Sequence, residues 1–262
     1  GGGTITALTN YDSFAVPGTD MNILLSGNET RAADTSINTL KIVPTEVDQA
    51  LTIANGKTLT VSRSGLLFLG PYDYTITGGT IRGRNAGDLI IYQNGNGTLT
   101  LSSAVGNNSG SLFVKAGEGS VVLSYTNNTY TGSTVILKGA LSVSQSGNLG
   151  PGSVVLNGGT LRTTDSFSLP RAVSLSSNGG TFDVTTGTLE LTGIVSGNYG
   201  ALTKTGPGTL LLSGTNSYNG PTTIAEGTLK LGFDRGLGSA STNANRAISP
   251  VLVKNGAILD IA

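Results

Sequence analysis

Apolar residues in this chain come in short alternating strings, each opened by glycine or proline and closed by a polar turn. In "GTLTLS", Leu99 and Leu101 share one face while Thr98 and Thr100 share the other; "GTLKLG" repeats the arrangement with Leu229 and Leu231. An alternation of period two predicts half-buried strands. Thr, Val, Ile and Leu fill the strings, and Gly, Asn, Ser and Pro fill the breaks between them, which is the division of labour expected of strands and turns. No stretch carries apolar residues at helical spacing for three turns, so helix is predicted to be nearly absent. In "GTLLLS" the same alternation puts Leu210 and Leu212 inward and Leu211 outward.

The strings recur. One set of starts falls at Gly56, Gly79, Gly97, Gly119, Gly139, Gly159, Gly180, Gly200 and Gly220, and from Gly119 onward its steps are 20 or 21 residues. A second set begins at Gly65, Gly87, Gly110, Gly132 and Gly152. From residue 97 onward the gaps mostly alternate between a short one and a longer one of about 13 residues. Strands this short, at a fixed period of about 20 residues and with turns too brief for helical crossovers, predict an all-β fold, a right-handed parallel β-helix (β-solenoid). The strands opening at Gly119, Gly139 and Gly159 should then stack in successive coils of one sheet. A single coil cannot bury enough surface to offset the entropy of ordering its backbone. Repetition supplies the remedy, since each coil is the template for its neighbour. Residues 1–50 are assigned to a β-rich start or cap of the solenoid and 51–262 to its repeats, continuing beyond this fragment. The segment 238–249, "GSASTNANRAIS", interrupts the period and is expected to bulge outward.

Composition narrows the functional classes. Fifteen bases balance fifteen acids among 262 residues, so the basic excess needed for nucleic-acid binding is missing. No apolar run reaches the length of a membrane helix, and no membrane span is expected in this fragment. The chain contains neither cysteine nor histidine, which removes thiolate nucleophiles, imidazole bases and the commonest zinc ligands together. Absence of cysteine suits a cytosolic protein, and equally a secreted one that crosses a membrane unfolded. The opening "GGGTIT" carries no signal-type segment and reads as part of a mature chain.

The string "GALTKTGPGTLLLSGTNSYNGPTTIAEGTLKLG", residues 200–232, resembles the autotransporter-associated β-strand repeat, the passenger-associated transport repeat of type V secretion passengers. The pattern falls on Gly200, Leu202, Lys204, Gly206, Gly208, Leu210, Leu212, Asn216, Tyr218, Gly220, Ile224, Gly227, Leu229 and Leu231. A second copy at 111–143 keeps Lys115, Gly117, Gly119, Leu123, Asn128, Tyr130, Gly132, Ile136, Gly139 and Leu141, with one extra residue before Tyr130. The resemblance implies a surface-displayed or secreted β-helical stalk, adhesin-like and non-catalytic, on an extracellular or bacterial cell-surface protein. Cell-surface or matrix glycans or proteins are the partners it implies.

Residues that suggest sharper chemistry each have an ordinary reading beside the functional one. Arg82, Arg84 and Asp88 fall near one turn; they are read as a solvated turn in preference to an anion or acidic-glycan site. Lys115 and Lys204 occupy matching repeat positions and are read as recurrent outward residues, which makes Lys204→Ala nearly neutral. Tyr130 and Tyr218 are read as covers for the core edge rather than as sugar-stacking platforms. "GNGT" and "GPGT" lack the Gly-Lys-Ser/Thr ending and helix of a phosphate loop. A glycan-processing β-helix enzyme would gather carboxylates on adjacent coils, but Asp165, Asp183, Glu190 and Asp260 fall at different coil phases. The threonine pairs Thr58/Thr60, Thr75/Thr77 and Thr98/Thr100 do not recur in every coil, as an ice-binding array requires. No catalytic, cofactor-binding or metal-ligating residue is assigned, and no cofactor. At the end, "NGAILDIA" reads as a strand with Ile258 and Asp260 on one side and Leu259 and Ile261 on the other; further coils, or failing that end-to-end self-association into a fibre, are expected to cover it.

Overall fold

The computed structural model describes residues 11–14, 21–84, 87–106, 110–232, 236–238 and 250–261. It is a parallel β-solenoid of about nine turns. Every strand pairing between the described elements is parallel, and each joins one coil to the next. The one helical element described is a 3-10 turn at Ser146–Asn148.

Three ladders run along the rod. The first stacks Leu89–Gln93, Phe113–Ala116, Thr134–Ile136, Val154–Leu156, Val173–Leu175 and Val195–Ser196. The second stacks Leu99–Leu101, Ser120–Leu123, Ala140–Val143, Thr160–Thr163, Gly180–Val184, Leu202–Thr205 and Thr222–Ile224. The strings opened by Gly65, Gly87, Gly110, Gly132 and Gly152 make the first ladder, and those opened from Gly97 onward make the second, with the strands after Gly119, Gly139 and Gly159 as successive rungs. The strings after Gly56 and Gly79 depart from this, pairing with each other and with Ala104–Val105 on another face. A third ladder, Phe167–Leu169, Thr188–Leu191, Thr209–Leu212, Thr228–Leu231 and Ile258–Asp260, fills the longer gaps.

The coil is not uniform along the rod. Register advances 25 residues from Leu51 to Ile76 and again from Ile76 to Leu101, because the long strand Gln49–Phe68 and its neighbour Tyr74–Gly83 turn their corners without leaving the sheet. From Val121 to Leu141 and from Leu141 to Leu161 the step settles at 20. Between Ile224 and Val253 it lengthens to 29, across the interrupted segment. The expected bulge there falls on residues 239–249, outside the described residues. Asn22–Leu25, Glu29–Arg31 and Thr35–Ile42 join the same ladders through parallel pairing.

Alternation places one apolar column inside each face. Leu141, Leu161 and Phe182 stack on the second face, and Leu189, Leu210 and Leu229 on the third; all are buried. Leu210 and Leu212 are fully buried while Leu211 faces outward, as the sequence pattern requires. Where one coil rests on another at a corner, space allows only glycine: a Cβ on Gly152 would meet the Gly132 carbonyl oxygen at 2.2 Å, and one on Gly220 would meet that of Gly200 at 2.1 Å. Val251, Leu252, Val253 and Ile258 are exposed on the last described rungs, while Leu259 packs against the core.

Candidate functional site

The two repeats build one device twice. In "FVKAG", Lys115 follows the inward Phe113 by two residues, and in "LTKTG", Lys204 follows the inward Leu202 by two. Strand alternation therefore turns both lysines into the core, where each is 0 % exposed. This corrects the outward reading of both. Lys115 is in register with Ile91 and Ile136, and Lys204 with Phe182 and Ile224.

A buried ammonium needs an acceptor for each of its three hydrogens. The corner beyond each lysine supplies them. Lys115 Nζ donates to the carbonyls of Ala116 at 3.0 Å and Gly117 at 2.7 Å in its own corner, and to Lys138 at 2.9 Å in the next coil. Lys204 Nζ donates to Thr205 at 2.7 Å, Gly206 at 2.7 Å and, one coil on, Glu226 at 3.2 Å. Gly117 and Gly206 adopt φ of 81° and 75°, the left-handed region that turns these carbonyls toward the lysine and that glycine enters without steric cost.

Beyond the lysine, each repeat carries an asparagine that ties three coils. Asn128 Oδ1 accepts the Val105 N–H of the preceding coil at 2.7 Å, while its Nδ2 donates to the Asn148 carbonyl of the following coil. Asn216 does the same between the Val195 N–H at 2.8 Å and the Gly236 carbonyl at 2.7 Å. Two residues later a tyrosine enters the core: Tyr130 pairs with the Thr134 hydroxyl at 2.6 Å and Tyr218 with that of Thr222 at 2.9 Å. Both rings are buried, so they fill the core itself rather than its edge, and neither is a sugar-stacking platform.

The two copies occupy different sides of the rod. Lys115 lies on the first ladder and Lys204 on the second, so the second copy is turned by one face relative to the first. The repeat is therefore fitted to a corner and to its stacking neighbours, and not to one side of the rod. A catalytic or binding stripe along one side would need its residues in line.

Titration follows from burial. Desolvation pushes the pKa of Lys115 and Lys204 down to about 8, opposed by Glu118 in the first case and by Asp183 and Glu226 in the second. Both remain charged donors at neutral pH. Burial pushes Tyr218 up to about 12 and raises Tyr74 and Tyr130 as well. Between about pH 8 and pH 10 the unfolded lysines hold protons that the folded ones have released, so stability rises with pH through that window. Above about pH 10 the unfolded phenols ionise before the buried ones, and stability falls. Urea midpoints measured across this range should pass through a maximum near pH 10. The double variant Lys115→Met/Lys204→Met should lose the rise and keep the fall. A wild-type profile flat from neutral to pH 10 would contradict the lysine placement.

The remaining candidates are dispersed. Asp165 accepts the Ser166 N–H; Asp183 pairs with Arg162 at 2.7 Å; Asp260 pairs with Lys230 at 3.1 Å. Glu190 accepts hydrogen bonds from Ser168 and Ser213, which hold its carboxyl below the usual range. Each carboxylate thus has its own partner, and no two converge on one cleft. Arg82 bonds Thr60 beside Asp34, whereas Asp88 accepts the Leu112 N–H as a link between coils, so the turn cluster is split. Thr75 and Thr100 are in register, but Val122 takes the next rung and ends the array. Among the described residues no three His, Cys, Asp or Glu side chains gather, and no helix is long and apolar enough to cross a membrane.

Comparison with known proteins locates the same segments. The family model of the passenger-associated-transport-repeat matches residues 113–143 and 202–231, the two lysine corners and their flanking strands. An adhesin autotransporter, BmaC, of Brucella suis biovar 1 (strain 1330) is 35 % identical over 209 residues, covering 70 % of this chain. The match spans 6 % of that relative's length. No solved structure matches the chain.

Proposed function

From a chain that is an autotransporter-associated passenger-repeat protein, we propose that this segment is a rigid, non-catalytic adhesive module of a surface-displayed adhesin, a stalk whose own outer face meets its partners away from the bacterial cell. The observation that carries the reading is the turned repeat. Its defining residues face inward and bind backbone, and among the described residues no three carboxylates gather on the outer surface. An adhesin autotransporter as a relative supports the surface location and the adhesive role. Cell-surface or matrix glycans or proteins are the proposed partners. Fold analogy with β-helical glycan enzymes and the exposed terminal rung supply no site of their own.

The test is mechanical contact. Beads coated with the folded chain are flowed over immobilised host cells and matrix, beside beads coated with the heat-unfolded chain. Greater retention of the folded coat is expected. Equal retention would overturn the adhesive reading, and turnover of an added polysaccharide would overturn the non-catalytic one.

A further inference from the structure

We propose that the dent over Arg171 binds the acidic group of a glycan, a carboxylate or sulfate ester on one sugar unit. The dent has a volume of about 320 Å³ and is lined by Asn127, Asn128, Thr129, Gly147, Leu149, Pro151 and Arg171. It lies where the polar turn of the first repeat, "TNNTYT", passes beneath the 3-10 turn Ser146–Asn148. That volume is at the lower end for small-molecule sites and suits one sugar ring rather than a long chain.

The guanidinium is held in place before any ligand arrives. Arg171 Nη1 donates to the Ser146 carbonyl at 2.9 Å and to its hydroxyl at 3.2 Å. The side chain therefore spans to the neighbouring coil through Nη1 and lines the dent, with Nε and Nη2 taking no part in the Ser146 contacts. Those groups form the fork that matches a carboxylate or sulfate. Among the described residues the ion pairs are Arg31–Glu29, Lys138–Glu118, Arg162–Asp183 and Lys230–Asp260; none engages Arg171. Burial holds the pKa of Arg171 below its ordinary value, opposed by the Tyr130 phenol and by no carboxylate. A partly desolvated cation with no carboxylate beside it favours an anion from outside.

The rest of the lining selects a sugar over an acidic peptide. Asn127 and Thr129, both exposed, offer amide and hydroxyl groups suited to sugar hydroxyls, and the exposed Pro151 ring offers a small apolar face for the C–H side of a sugar ring, while Leu149 is buried beneath it. The dent near Arg82 contrasts with this one. It is similar in size, but Asp34 lines it and already supplies the negative charge.

This proposal rests on the surface-module reading and is tested apart from it, in solution. Titration of the chain with a heparin hexasaccharide, a hyaluronan hexasaccharide, a neutral chitin hexasaccharide and a polyglutamate peptide reads affinity by calorimetry. At least one of the acidic sugars is expected to bind, more weakly at higher salt, and the neutral sugar is not. Arg171→Gln should weaken that binding at least tenfold, Asn127→Ala should weaken it with an unchanged melting temperature, and Arg82→Gln should leave it unaltered. Preference for heparin assigns the sulfate and preference for hyaluronan the carboxylate. No binding of either acidic sugar, undiminished binding by both Arg171→Gln and Asn127→Ala, or tighter binding of polyglutamate would overturn the proposal. Bead adhesion by Arg171→Gln separates the two readings, because a rod that still adheres has its partner elsewhere.

Discussion

Leu212→Asp is expected to destabilise the chain by about 4 kcal/mol, the range reached when a charge is placed in a core without a partner. Leu212 is fully buried and lies in register between Leu191 below and Leu231 above. A carboxylate there meets aliphatic side chains from successive coils, since Leu169, Leu191 and Leu231 occupy the same column. The coils cannot part to admit water without breaking the ladder hydrogen bonds on both sides. Leu211→Asp is the control: its side chain faces outward between Glu190 and Lys230, and it should cost less than about 1 kcal/mol. Comparable shifts in urea midpoint for the two variants would contradict the facing of this strand.

Lys204→Ala should cost about 2–4 kcal/mol, far more than an exposed lysine would. The substitution leaves the carbonyls of Thr205, Gly206 and Glu226 without their donor and opens a void between Phe182 and Ile224. Unmet acceptors and lost packing add. Lys204→Met keeps most of the volume and removes the buried charge, so it should recover part of the loss, leaving about 1–2 kcal/mol for the missing hydrogen bonds. Urea unfolding of the three proteins orders them wild type, methionine, alanine. An alanine variant within about 0.5 kcal/mol of wild type would return Lys204 to the surface.

How far the sequence discloses this structure depends on how local each signal is. Alternation in "GTLLLS" and the spacing of Gly119, Gly139 and Gly159 are local and regular, and the structure follows them to the residue. The third ladder is less legible. Its rung between Val143 and Val154 is a 3-10 turn and not an alternating string, and at Asn128–Tyr130 the Asn128 side chain supplements two backbone hydrogen bonds, from Asn128 N–H to Gly147 and from Thr129 N–H to Val105, in place of a regular strand. At the lysines charge and parity point opposite ways: charge suggests the surface, and parity the core. Lys204 stands two residues after the inward Leu202, and parity alone turns it inside. What offsets its burial is the glycine corner that follows it, with the carbonyls of Thr205 and Gly206, together with the Glu226 carbonyl of the next coil, 22 residues away, which composition does not reveal. Arg171 is illegible for a like reason: its dent is assembled from two other coils, at Asn127–Thr129 and Ser146–Pro151, with nothing in its own string to mark it.

The central claim is that each repeat clamps its own coil to the coils on either side, making the rod rigid from within. Native-state hydrogen exchange on wild type, Lys115→Ala and Lys204→Ala tests it most directly. Lys204→Ala should accelerate exchange in 195–231, the strands tied by Lys204 and Asn216, and leave 113–143 as protected as in wild type; Lys115→Ala should give the reciprocal pattern. Exchange unchanged by either substitution, or raised evenly along the whole chain by both, would contradict the clamp.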